Sequence, residues 1–137
     1  MESDIGDKVR SLGMEDRIRF LGYVTDDELS ALYSASFAFV YPSFYEGFGL
    51  PVLEAMSCGA AVITSGTSSL PEVGGDAALY IDPQSIGSLV DKMRVLTENE
   101  SLLKTLRAKS PGQAGRFSWD KTAGTVLSVY DRVMKRT

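Results

Sequence analysis

Between residues 37 and 64 the chain runs from a continuous apolar stretch, through a glycine-containing turn and a short helix-patterned stretch, into a second continuous apolar stretch. That beat of strand, helix and strand leaves little freedom in the fold. A strand that is apolar at every position is buried on both faces, and such strands belong to parallel sheets covered by helices on either side. The first run, residues 37–41, ends at Pro42, which has no N–H to give to a ladder. Val52, Leu53 and Met56 then recur at helical spacing behind Pro51, which presets the first turn, and Gly59 stops the helix before the second run at residues 60–64.

The same reading extends in both directions. Ile5, Val9 and Leu12 mark a helix that stops at Gly13, and residues 17–24, with Ile18, Phe20 and Leu21, read as a short strand. Thr25 and Glu28 have the spacing of a capping box, with Val24 and Leu29 at the staple positions, and Leu29, Leu32 and Tyr33 form the buried face of the helix that follows. Ser69 and Glu72 bracket Pro71 as a second capping box, before a strand at residues 79–81. From Ile86 through Leu96 the spacing is helical. Leu102, Leu103 and Leu106 carry a further helix closed by Pro111 and Gly112, and Ala123, Val126, Leu127, Tyr130, Val133 and Met134 line a last one, with Phe117 and Trp119 as expected anchors against the core. The expectation is an α/β fold: a partial Rossmann-like three-layer sandwich, with a parallel sheet of about four strands flanked by helices, in a single domain over residues 1–137. No repeat or linker interrupts it.

Composition narrows the partners. The net charge of −4, with acids scattered along the chain, argues against a nucleic-acid partner. No apolar run is long enough for a membrane span, and the first six residues lack the pattern of a secretion signal, so a cytoplasmic location is expected. The one cysteine, Cys58, falls at an apolar helix end where a small buried hydrophobe fits. There is no histidine, the commonest general base and metal ligand, and no Asp-x-Asp triplet, so neither a metal site nor a cofactor is expected.

The chemistry concentrates in the turn after residue 41. Glu46 precedes Gly47, Phe48 and Gly49, and Glu54 lies about one turn inside the helix that starts at Leu50 and Pro51. In an open parallel sheet, ligands gather beyond the carboxyl ends of strands, where helix N-termini present unpaired amides that favour an anion. The carboxylates favour paired sugar hydroxyls and repel a bare anion, so a nucleoside diphosphate sugar satisfies both kinds of group. Because Pro51 has no N–H, the phosphate contacts are expected from the amides of Leu50 and Val52. Blander roles stay open: Glu54 as a carboxylate complementing the helix dipole, Glu46 as a solvated loop acid, and Asp26, Asp27 and Glu28 as first-turn residues of a capped helix.

With these residues in view, the chain resembles the C-terminal, donor-binding half of a retaining glycosyltransferase of family four, the group 1 type with two facing Rossmann-like domains (the GT-B fold). The resemblance runs from about Arg17 to the end, through FLGYV at residues 20–24, PSFYEGFGLPVLEAMSCG at 42–59, SSLPEV at 68–73, ALYIDP from Ala78 and FSW at 117–119. It implies that Glu46, the first acid of the E-x7-E pair, is a catalytic-site residue facing the donor sugar, and that Glu54 binds ribose hydroxyls. It implies further that Gly47, Phe48 and Gly49 contact the sugar through backbone groups, that Leu50 and Val52 lie by the diphosphate, and that Tyr23 and Val24 lie near the base. The substrate implied is an NDP-sugar of the UDP or GDP type.

Where many members have a proline in the strand after Gly59, this chain has Ala61, a packing change away from the site. Relatives also place a basic pair on the diphosphate from the first strand-helix unit of this domain, and take catalytic polar groups from an N-terminal acceptor-binding domain. Both are expected to be missing here, and no lysine or arginine lies between Arg19 and Lys92. The expectation is therefore a donor-binding half that is inactive alone, with an exposed sheet edge that favours a homodimer; the full-length enzyme at the membrane periphery is an open alternative. A stand-alone nucleotide-sugar binding or regulatory module is the competing reading. Phosphorylase chemistry lacks its lysine in that stretch, and a redox dinucleotide domain lacks G-x-G-x-x-G.

Overall fold

A computed structural model of the chain describes residues 2–135; Met1, Arg136 and Thr137, the ends of the expected domain span, lie outside the described residues. Its elements in chain order are α1 (Glu2–Ser11), α2 (Asp26–Ala35), β1 (Phe39–Tyr41), α3 (Leu50–Ser57), β2 (Val62–Ser65), α4 (Leu70–Gly74), β3 (Ala78–Ile81), α5 (Ile86–Glu98), α6 (Glu100–Ala114) and α7 (Trp119–Met134). The strands form one parallel sheet in the order β1-β2-β3, with Val40 opposite Ile63 and Ile63 opposite Leu79.

Every residue of β2 is buried, the polar Thr64 and Ser65 as well as the apolar Val62 and Ile63. Alternate side chains go to opposite faces of a strand, and here they join separate clusters. Val62 packs with Tyr33, Val52, Ala55, Met56, Leu70 and Val73, which come from α2, α3 and α4. Ile63 packs with Ile81, Leu96, Leu103 and Leu106, which come from β3, α5 and α6. The result is a three-layer sandwich whose central strand has no face left for water, while β1 and the middle of β3 are partly buried. Met56, Ile63 and Leu70 are fully buried, and each contributes about 1.5–3 kcal/mol through removal of apolar area from water.

Polar side chains lock the layers at their rims. Ser110 on α6 donates to the carbonyl of Ala60 at 2.8 Å, seating that helix on the segment entering β2. The guanidinium of Arg107 donates to the carbonyls of Ser36 and Phe37, closing the end of α2. At the other end of α2 the capping box is formed, with Glu28 N–H donating to the Thr25 hydroxyl and Thr25 N–H donating to the Glu28 carboxylate.

Several expectations are corrected. Residues 17–24 form irregular backbone, leaving a turn at Arg17 and bending at Tyr23 after Gly22 with φ of 67°, and they pair with no strand among the described residues; Ile18, Phe20 and Leu21 are about half exposed, so the described sheet has three strands where about four were expected. Apolar content makes a segment eligible for a sheet, whereas a ladder partner makes it a strand. Pro111 and Gly112 do not close α6, which runs on to Ala114. An interior proline costs about 3 kcal/mol; here the turn around it is held by Ser110 and by Gln113, whose amide donates to the carbonyl of Val73 at 2.9 Å. Trp119 is 79% exposed and is no core anchor, and α7 has no buried residue. Cys58 is half-buried at the edge of the first cluster, 3.5 Å from the Ser30 hydroxyl, rather than fully inside.

These placements give opposite expectations for two large side chains. In urea unfolding, Met56→Ala costs about 2–5 kcal/mol through lost burial and a cavity, while Trp119→Ala stays within about 0.5 kcal/mol of the parent.

Candidate functional site

The site grows from the carboxyl end of β1. Pro42 turns the chain out of the sheet, and Gly49 returns it into α3 with φ of 106°, a left-handed conformation that side chains rarely adopt. A Cβ added at Gly49 would lie 2.7 Å from Cδ2 of the buried Leu70, so the glycine is required by space as well as by angle.

The loop between β2 and α4 grips this turn. The Ser69 hydroxyl bonds the carbonyls of Phe48 at 2.8 Å and Glu46 at 3.0 Å. The expected capping box at Ser69 is therefore absent: Ser69 makes no side-chain cap, because its hydroxyl is turned to the neighbouring loop. Thr67 donates to the carbonyl of Phe44 at 3.2 Å, and Glu46 N–H donates to the Ser68 hydroxyl at 3.1 Å. Ser68 itself has φ of 52°, the one non-glycine residue with a positive value among those described.

With its carbonyls held from one side, the turn leaves the N–H groups directly after Glu46 without protein acceptors. Among the described residues, the amides of Gly47, Phe48, Gly49 and Leu50 meet no acceptor in the chain. Val52 differs from expectation. Its amide donates to the carbonyl of Gly49 at 3.0 Å and its side chain is fully buried, so it supports the helix start from beneath rather than presenting an N–H.

The two acids are held unequally. Glu46 is half-buried, and its Oε1 accepts from the Tyr41 hydroxyl at 2.6 Å and from the Ser43 hydroxyl at 2.8 Å. Those bonds, Tyr41's first, hold the Glu46 carboxyl below the ordinary carboxylate range, and the same contact pushes the Tyr41 hydroxyl up. Glu54 is exposed on α3, with its Oε2 3.5 Å from the Tyr33 hydroxyl, at the outer limit of a hydrogen bond. Burial, and after it the charge of Glu54, raise the Tyr33 hydroxyl's pKa. The two tyrosines are joined through Phe39, which meets Tyr33 edge-on at 5.0 Å and stacks near Tyr41 at 5.8 Å.

The remaining expected residues divide. Phe48 packs edge-on against Phe117, with ring centroids 5.7 Å apart. Together with Leu50 and Leu53 they border a groove of about 620 Å³ that Trp119 and Val126 continue along α7. Tyr23 and Val24 lie in the irregular segment before α2, Tyr23 almost fully exposed, and no hydrogen bond or ring contact joins them to the turn among the described residues. Sequence reasoning missed Tyr41, Ser43 and the serines at 68 and 69 as partners of Glu46, although all stand within the blocks it had singled out. It also missed Arg116 and Lys121, which the fold brings to the same groove as Phe48 and Leu50. Nothing in their sequence position pointed there.

An anionic hydrogen-bond acceptor set beside a run of unpaired amides, at the carboxyl edge of a parallel sheet, suits a ligand with hydroxyls next to phosphates. A family model described as glycosyl transferases group 1 matches residues 2–133. The chain belongs to that family. This group 1 chain is 46% identical over 116 residues to O-antigen chain mannosyltransferase B of Escherichia coli, a match that covers 85% of the chain and 30% of that relative. Among solved structures it is similar to sucrose-phosphate synthase of Thermosynechococcus elongatus, with a TM-score of 0.85, 27% identity, and coverage of 97% of this chain and 34% of that one. It is also similar to the C-terminal domain of the glycosyl transferase group 1 family protein LpcC of Francisella tularensis, with a TM-score of 0.74, 28% identity, and coverage of 84% and 60%. The chain thus spans about a third of the mannosyltransferase and of the synthase it matches.

The steric requirement at the turn is testable. Gly49→Ala forces both a strained backbone and a clash with Leu70, and should lower unfolding stability in urea by about 1–3 kcal/mol. A variant as stable as the parent would show that the turn relaxes freely.

Proposed function

We propose that this group 1 chain is the donor-binding half of a retaining, metal-independent glycosyltransferase that moves a hexosyl group from an NDP-sugar to a glycan, lipid or small-molecule acceptor. The observation that carries the reading is the apposition, at one sheet edge, of the hydroxyl-clamped Glu46 carboxylate and the unpaired amides from Gly47 to Leu50. The named relatives, a mannosyltransferase and a sucrose-phosphate synthase, support a sugar donor.

In this reading Glu46 faces the transferred sugar and accepts from its hydroxyls, and the backbone of Gly47, Phe48 and Gly49 borders the sugar. Leu50, with Val52 buttressing it, lies by the diphosphate; Glu54 accepts from ribose hydroxyls, and Tyr23 and Val24 lie near a uracil or guanine base. As the bond to the sugar carbon breaks, charge collects on the leaving diphosphate, and prepositioned amides and cations stabilise it. A helix N-terminus contributes about 1–2 kcal/mol toward an anion, whereas efficient transfer requires about 8 kcal/mol or more. Arg116 and Lys121 border the groove on the Phe117 side, where Arg116 donates to the Gln113 side chain at 3.1 Å and Lys121 to the Arg116 carbonyl at 3.0 Å, neutral acceptors that leave both charges in place, but neither contacts the amides of the turn among the described residues. The reading therefore assigns the remaining stabilisation, and the acceptor, to a second domain, and predicts negligible turnover by this chain alone.

The same reading places the protein in the cytoplasm; no helix among the described residues is long and apolar enough to cross a membrane. The outer edge of β1 pairs with no strand among the described residues, which favours self-association of the isolated chain.

Calorimetric titration with UDP-glucose and GDP-mannose tests the reading, with saturable binding of at least one expected. Glu54→Ala should weaken the nucleoside diphosphate by about 1–3 kcal/mol through lost ribose hydrogen bonds. An unchanged affinity would return Glu54 to a helix-dipole role, and rapid turnover with simple acceptors would overturn the assignment to an incomplete half.

A further inference from the structure

The two hydroxyls on Glu46 fall on the same oxygen. Tyr41 donates to Oε1 at 2.6 Å and Ser43 donates to Oε1 at 2.8 Å, while Oε2 takes no donor among the described residues. A carboxylate oxygen has two lone-pair directions, so Oε1 is saturated and Oε2 is left to a ligand. No lysine or arginine contacts this carboxylate among the described residues, so its orientation rests on hydroxyl donors alone. The tyrosine is itself fixed. Its ring stacks near Phe39 within the partly buried rim of the α2–α3 cluster, and its carbonyl accepts from the buried Thr64 hydroxyl at 2.9 Å. Glu54 has no comparable clamp, since its one hydroxyl contact is 3.5 Å long.

We infer that Tyr41 and Ser43 are positioning residues that clamp Oε1 of Glu46, so that Oε2 alone reads a hydroxyl of the donor sugar. The inference rests on the donor-site reading and deepens it. Glu46 serves as an acceptor only, so the sugar must donate a hydroxyl at that point, and the clamp decides sugar recognition without touching the nucleotide. The downward shift of the Glu46 carboxyl agrees with this, because an acid kept ionised cannot donate. Tyr41 is the titratable group bonded to it, and the tyrosine keeps its proton as its own pKa rises.

The test compares each NDP-sugar with its own nucleoside diphosphate (UDP-glucose with UDP, GDP-mannose with GDP) on the full chain and on Tyr41→Phe and Ser43→Ala. Tyr41→Phe should weaken the NDP-sugar by about five- to tenfold while the nucleoside diphosphate stays within about twofold. In carboxyl carbon NMR, the titration midpoint of Glu46 should move upward in the same variant, because its folded-state pKa is depressed by the bond removed. Ser43→Ala should act in the same direction, and carries the test if Tyr41→Phe does not fold. An equal loss for both ligands, or an unchanged sugar preference with an unchanged Glu46 midpoint, would overturn the clamp and leave the donor site standing. A parent chain that binds neither ligand would instead overturn the donor site, and the clamp with it.

Discussion

The burial of β2 on both faces is the constraint on which the remaining structure depends. Val62 and Ile63 each require an apolar layer on their own side, so helices must cover both faces of the sheet. Parallel strands then need crossovers, and each crossover leaves its helix N-terminus on the carboxyl side of the sheet. The turn that carries Glu46 and the start of α3 is one of these crossovers. Its position at a ligand-accepting edge follows from the hydrophobic pattern of a strand that touches no ligand.

Rigidity at that edge comes from hydroxyl groups rather than from ion pairs. Serines and a threonine in the loop after β2 hold the backbone of the turn, and Tyr41 and Ser43 hold the Glu46 side chain. Neutral donors fix a carboxylate while leaving it charged and without a bound cation, which suits an acceptor of sugar hydroxyls. The described ion pairs, by contrast, are exposed surface contacts such as Lys104 with Glu100, worth little to stability.

Much of this was legible in the residues. The alternation of apolar runs and helical periods located the described strands β1, β2 and β3 and the helices between them, because two-sided burial and amphipathic spacing leave plain traces in sequence. The backbone of the acid-flanked turn was legible because Pro51 presets a first helical turn and Gly49 permits the left-handed conformation before it. What failed to show was whatever depends on a partner elsewhere in the chain. Residues 17–24 are apolar enough for a strand but have none beside them, and Pro111 is tolerated only because Ser110 and Gln113 find carbonyls on other elements. Ser69 has a cap's spacing, yet its hydroxyl meets the carbonyls of Glu46 and Phe48 across the loop. The convergence of Arg116 and Lys121 on the groove beside Phe48 is equally non-local.

The central claim is that unpaired amides opening α3 and a clamped carboxylate beside them receive a sugar nucleotide. Amide NMR of the isotopically labelled chain, titrated with UDP-glucose and GDP-mannose, tests it most directly. The account predicts that the largest shifts fall on the N–H signals of Gly47, Phe48, Gly49 and Leu50, the amides without protein acceptors. Saturable shifts confined to α5, α6 or α7, with those signals unmoved, would contradict it.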